Sequence, residues 1–315
     1  MITERAMLAA VHIRLWTATK YDKKASEEVA NQHGAHTNAG RYNKRLLQGA
    51  TKLEALQTIA GQIRQHFYKL TLPWSDEGFR ILPAELLFDF AEGMRALENR
   101  FVPAVDAFIA AYPAYIEQMR PALNGLFRSE DYESPDTIRS KFGLRLEIKP
   151  IPSGDDFRVK LSREQRARLA EEIDRDVRES LSRGTRDLWM RLRKVVAHMV
   201  EILNDPEARL HTSVVDNVTE LVDLLPRLNV TGDPQLDAFA VEIRNRLCLY
   251  NSRELKQNDQ IRSETARDAA AIMERIETVL DQQPEIAGSD MMPSEQLSAE
   301  AIFSRMSAYL EVPPR

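Results

Sequence analysis

A chain of 315 residues, 43% apolar and 29% charged, can bury one large core or two and is not an intrinsically disordered polypeptide. Its formal net charge of −5 argues against a wholly basic nucleic-acid binder. There is no apolar run long enough to span a membrane, no signal-peptide order in Met1–Thr19, and a single cysteine, Cys248, so the chain reads as cytoplasmic, without internal disulfides or a multi-cysteine metal site.

Charge is unevenly spread. Up to Leu70 there are 11 basic and 5 acidic residues, a balance of +6, which leaves −11 for the remainder. That distribution allows a basic face on an acidic protein, and equally a set of solvated helix surfaces.

The opening "AAVHIRLWTATKYD" sets Val11, Ile13 and Leu15 against His12, Arg14 and Trp16, the alternation of a strand. A stretch rich in small and polar residues follows, with Gly34 and Gly40, which reads as a loop or as a short helix and a loop. From Arg41 to about Lys69, Leu46, Leu53, Leu56, Ile59, Ile63 and Phe67 recur at helical spacing, which predicts a helix starting at Arg41. "TLPWSDEGFRILP" is a loop that packs down through its apolar residues, and Pro83 opens a second helix with Leu86, Phe90, Met94, Leu97 and Phe101 on its buried side. Pro103, Pro113 and Pro121 predict that its continuation is kinked or broken. "LRLEIKPI" and "DFRVKL", joined by "PSGD", read as a hairpin, with the Val11 strand as a third member because a lone hairpin is marginal.

Beyond Ser162 the pattern is helical. "SREQ" fits a capping box of Ser162 and Gln165 ahead of an apolar stripe of about forty residues, roughly 60 Å of helix. Gly184 lies on that stripe and marks a close crossing or a kink. Asp205-Pro206 and Asp233-Pro234 each carry the cap-then-proline signature of a helix start. The expected fold is mainly α: a long antiparallel helical bundle or coiled-coil arm with a small antiparallel sheet of about three strands, 9–17, 143–151 and 156–161. The expected division is a mixed domain over 1–160, a long-helix region over 161–282, and a linker with a short C-terminal helix over 283–315.

Chemistry is sparser. Pro135-Asp136 followed by Glu147 and Lys149 has the spacing of a PD-(D/E)xK nuclease, in which two carboxylates hold a divalent metal. Three strands are too few for that fold, and "SPDTIRS" reads as a capped helical turn, so a magnesium-dependent nuclease is the weakest of three readings. His33 and His36 lack the nearby ligands of a zinc site, His198 sits beside an apolar stripe, and Cys248 between Leu247 and Leu249 reads as a buried small hydrophobe. No phosphate loop, dinucleotide fingerprint or nucleophile elbow occurs. No catalytic residue, metal ligand or cofactor is therefore assigned. "NAGRYNKRLL" is the one segment kept: Arg41, Tyr42, Lys44 and Arg45, with Lys52 further on, form a candidate nucleic-acid site of cations around a stackable ring.

The segments "VHIRLWTATK", "FYKLTLPWSDEGFRILP", "FIAAYP", "IKPIPSGDDFRV" and "LLPRLNVTGDPQL" resemble a family of unknown function found in bacteria, prophages and phages. The resemblance covers roughly Met7 to Leu280 and carries no functional residue. It implies an accessory protein of a mobile element, in the host cytoplasm if phage-encoded, that meets DNA-processing proteins or a MoxR-type AAA+ ATPase. The leading expectation is a non-enzymatic helical scaffold that associates with itself or with such a partner. The alternative is a nucleic-acid-binding protein, for single-stranded DNA, that uses the basic N-terminal segment.

Overall fold

The computed structural model describes residues 2–75, 78–154, 162–205 and 207–282. After a single turn, α1 (Ile2–Arg5), the N-terminal strand β1 (Ala6–Arg14) becomes an inner strand of the main sheet. It pairs antiparallel with β5 (Arg80–Pro83) through Leu8↔Ile81 and with β6 (Gly143–Pro150) through Ala9↔Ile148 and Val11↔Leu146. The two-residue β4 (Leu72–Pro73) completes the order β4-β5-β1-β6. The Val11 strand and "LRLEIKP" therefore pair as expected; the expected strand over 156–161 and the C-terminal linker and helix lie outside the described residues. Strand β5 has no signal in the sequence, because four residues ending in proline are too short to show a period of two.

A second, two-stranded ladder joins β2 (Thr19–Tyr21) to β3 (Asn43–Arg45) around α2 (Lys23–Gln32). Here the structure corrects the helix expected from Arg41. Residues 43–45 are extended, Gly49 turns the chain at a φ of +67°, and the helix α3 begins only at Thr51 and runs to Leu70. The reason is Lys44, which turns inward to buried carboxylates and takes the backbone into the ladder with it.

Helix α4 (Leu87–Leu123) follows a 3-10 turn over Ala84–Leu86 and stays continuous for 37 residues with all three prolines inside it. This overturns the broken-helix expectation. Pro103, Pro113 and Pro121 are exposed, so the carbonyl that each deprives of an amide partner can be hydrated, while Phe90, Met94, Phe101, Val105, Phe108, Tyr112 and Met119 hold the opposite side in the core. Against α3, His66 lies where a side chain on Gly93 would stand, its Nε2 3.2 Å from the Phe90 carbonyl. A short helix α5 (Pro135–Ser140), capped by Ser134, leads into β6.

Ser162 and Gln165 form the expected capping box at the start of α6 (Arg163–Asn204), a helix of 42 residues. Gly184 settles as a close approach of helix to sheet: a Cβ there would stand 3.5 Å from Ile81 and Leu72. That spacing is ordinary contact, so Gly184→Ala is expected to be neutral or to stabilise by up to ~1 kcal/mol through helix propensity, read as the urea midpoint. Gly184→Leu should cost about 1–3 kcal/mol through overpacking. Arg183 reaches from α6 to the Trp74 carbonyl, and Arg191 to the Lys69 and Thr71 carbonyls where α3 ends, supplying donors to acceptors left by the helix terminus.

The bundle continues with α7 (Thr212–Leu228), α8 (Pro234–Leu247), α9 (Ser252–Gln257) and α10 (Asp259–Gln282). Asp233 caps α8 as expected, accepting from the Gln235 amide at 2.9 Å. Asp205 does not start a helix: it ends α6, where Arg262 of α10 donates to the Ile202, Leu203 and Asp205 carbonyls, and α7 begins at Thr212. Because Arg186 meets the Leu280 carbonyl and Arg193 meets Glu277, α10 runs antiparallel to α6. One hydrophobic cluster includes Leu8, Phe108, Trp189, Val218 and Ile276, so residue 160 does not divide two cores; a single compact unit extends to Leu280. No helix among the described residues is long and apolar enough to cross a membrane.

Candidate functional site

The residues expected to bind nucleic acid divide in two. Lys44, 2% exposed, is the centre of a buried ion cluster. Its ammonium donates to Asp22 Oδ2 at 3.0 Å and to the Leu126 carbonyl at 3.0 Å and pairs with Asp131, while Lys20 pairs with the other Asp131 oxygen at 2.9 Å. Two cations and two carboxylates leave the cluster formally neutral. Burial pushes the Lys44 amine down, but Asp131 and Asp22 outweigh it and raise its pKa above the usual lysine value. The Ala25 amide and Lys44 hold Asp22 below the carboxylate range. Burial raises Asp131, yet Lys44 and Lys20 overcome it and hold it low. Lys44 is thus removed from the candidate interface, because all three of its donors are engaged inside the protein.

Around this cluster the backbone is tightly tied. The Asp22 amide donates to the Tyr42 carbonyl at 2.9 Å, the Tyr42 amide to Ser26 Oγ at 2.9 Å, and the Leu46 amide to the Ala18 carbonyl at 2.7 Å. Tyr132 Oη donates to the Leu46 carbonyl at 2.9 Å, joining the hairpin to the segment that carries Asp131. With Lys20 opposite Lys44 on the inner face, strand alternation puts Thr19, Tyr21, Asn43 and Arg45 on the outer face. Tyr21 is 45% exposed and Tyr42 39%, and the Arg41 guanidinium lies over the Tyr21 ring at 5.3 Å. Arg41, Arg45 and Arg128 are exposed and none forms an ion pair with a carboxylate among the described residues; Arg128 is near enough to help stabilise the Asp22 charge. By contrast, Lys23 and Lys24 are matched by Glu27 and Glu28 along α2. Lys52 is exposed in the first turn of α3, its amide bound to Tyr115 Oη, and is not part of the hairpin surface.

Sequence reading missed Tyr21 and Arg128. Tyr21 had a signal in "TATKYD", whereas Arg128 is brought near only by the fold.

The other candidates have structural environments. Glu147 is surrounded by Lys149, Arg145 and His12, and Lys149 foremost holds its carboxyl below the usual range. Asp136 lies in the first turn of α5, and no group of three His, Cys, Asp or Glu side chains among the described residues is placed to hold a metal ion. His33 ends α2 and His36 accepts from the Asn38 amide. His198 is more than half exposed beside Glu201, not packed on the stripe. Cys248 is half-buried, and burial pushes its thiol up, which disfavours the reactive thiolate. A shallow groove of about 590 Å³ between the end of α6 and the start of α10 is lined by Leu203, Arg262, Ser263, Ala266 and Arg267. Arg262 spends its donors there on helix carbonyls.

No family model, no curated protein and no solved structure matches this chain.

One further surface stands out. Pairing of β1 with β6 collects Val11, Ile13, Leu144, Leu146 and Ile148 on one face of the sheet. Leu146 is 38% and Ile148 45% exposed, and the other three are half-buried. The opposite face of the same strand carries Arg145, Glu147 and Lys149; Val11, Ile13 and Leu144 also pack against the hydrophobic core, so the open part of the strip is Leu146 and Ile148.

Proposed function

We propose that this chain is a non-enzymatic helical interaction protein, of the kind used by phages and mobile elements, that associates with itself or with a DNA-processing or AAA+ ATPase partner. The observation that carries the reading is the apolar strip of β1 and β6, five aliphatic side chains in partial contact with water on one sheet face. Contiguous apolar surface of this sort marks interaction sites in soluble proteins. The rest of the molecule suits a scaffold: long helices fix the strip on a rigid support, and the Glu147 carboxylate is matched by Lys149 and Arg145.

Sedimentation velocity of the native chain, alone and with a MoxR-type ATPase from the same genome, tests this. The expected result is association that the double variant Leu146→Asp/Ile148→Asp abolishes while its thermal midpoint is kept. A native chain that stays monomeric and binds no such ATPase would overturn the proposal, as would association indifferent to the two substitutions.

A further inference from the structure

We infer that the outer face of the β2–β3 hairpin is a binding surface for single-stranded nucleic acid, with Tyr21 as its stacking platform and Arg41 and Arg45 as its phosphate contacts. Three independent observations meet there. Tyr21 projects from the outer face with 45% of its surface open, and Arg41 covers its ring, an arrangement that orders an aromatic side chain which would otherwise rotate freely in water. Arg41 and Arg45 form no ion pair with a carboxylate among the described residues, in a lobe whose lysines on α2 and on the inner face are all matched by acids. Finally, the surface is rigid: the neutral Lys44 cluster and the backbone bonds of Asp22, Tyr42 and Leu46 hold a ladder of only three residue pairs that could not stand alone.

The chemistry selects the partner. A free cation beside an ordered ring fits a ligand that offers phosphate and an unstacked base together, and a single strand presents both. In a duplex the bases are stacked inside and leave Tyr21 nothing to stack on. An acidic peptide would satisfy the arginines alone.

The test is fluorescence anisotropy of the full chain with labelled oligothymidylate of roughly 16 nucleotides, the upper site size of single-strand-binding folds, with the matching duplex and polyglutamate as competitors, across salt. Salt-sensitive binding to the single strand is expected, with weaker competition from duplex and polyglutamate. Arg41→Ala/Arg45→Ala should flatten the salt dependence by roughly 1.4 in the log–log slope, about 0.7 for each phosphate contact on a single strand. Tyr21→Ala should weaken binding by about tenfold, within the range for loss of one stacked base, and Tyr21→Phe should restore it. Each variant must keep the native thermal midpoint, which the exposure of all three side chains favours. No binding at low salt, equal loss in Tyr21→Phe and Tyr21→Ala, or competition by polyglutamate as strong as by the single strand would overturn the inference.

Discussion

Replacing Lys44 with methionine is expected to destabilise the protein by about 3–5 kcal/mol, the cost of leaving buried carboxylates without their counter-ion. Urea unfolding measures it as a fall in midpoint. Asp22 and Asp131 are 5% and 8% exposed, so water cannot replace the ammonium. The pH profile separates this from loss of packing. Both aspartates have pKa values depressed on folding, so they contribute stability above their unfolded value, near 3.9, and lose it as pH falls through the folded value. Lys44 has its pKa raised, so its contribution is complete below the unfolded value near 10.4 and is lost as pH rises through the folded one. Between those limits the native cluster gives a plateau. In Lys44→Met the Ala25 amide and Arg128 still favour the Asp22 charge, but Asp131 keeps only Lys20 against its burial, so its folded pKa rises and the stability it contributes on ionising shrinks or reverses as pH rises through the carboxylate range. The deficit against the native protein should therefore be smallest in acid and largest near neutrality. A deficit independent of pH would mean that Lys44 acts through its methylenes.

Trp189→Ala is expected to cost a similar amount, about 3–5 kcal/mol. Trp189 is fully buried on α6 and meets Phe239 of α8 edge-on at 4.9 Å between ring centroids, so its removal opens the seam between two helices. Its indole Nε1 is buried with no hydrogen-bond partner among the described residues. An unmet buried donor costs about 1–3 kcal/mol, and Trp189→Phe removes that donor while keeping an aromatic ring against Phe239. The phenylalanine variant should consequently lose less than half of what the alanine variant loses, with the same dependence of unfolding free energy on urea. Equal losses would show that the indole shape alone is decisive.

What could be read from the sequence was local. The Ser162–Gln165 box, the Asp233-Pro234 start, the β1 alternation and the turn capped by Ser134 need only neighbouring residues, and all four stand. What could not be read was decided at long range. Lys44 sits among Arg41, Tyr42 and Arg45 in the sequence and has the look of a surface charge, because its partners Asp22 and Asp131 lie far away along the chain. Asp205 carries a good cap signature, and Arg262, 57 residues later, closes the preceding helix over it. The three prolines of α4 fail to break it because their exposed side can be hydrated, a property of the packed helix and not of the segment.

The position of β1 between β5 and β6 bears on how the protein is made. Arg14 pairs with Gly143, so β1 waits for about 130 further residues before its β6 partner is made, roughly 6–26 s at ordinary translation rates. β5 can cover one edge once residues 80–83 are made, but the edge that β6 takes stays open until residues 143–150 follow, and the sheet is incomplete for that time. Nascent chains of this protein should therefore depend on chaperones that shield extended apolar segments, and a slow patch of translation before residue 143 would lengthen the exposure, whereas one after residue 150 would not.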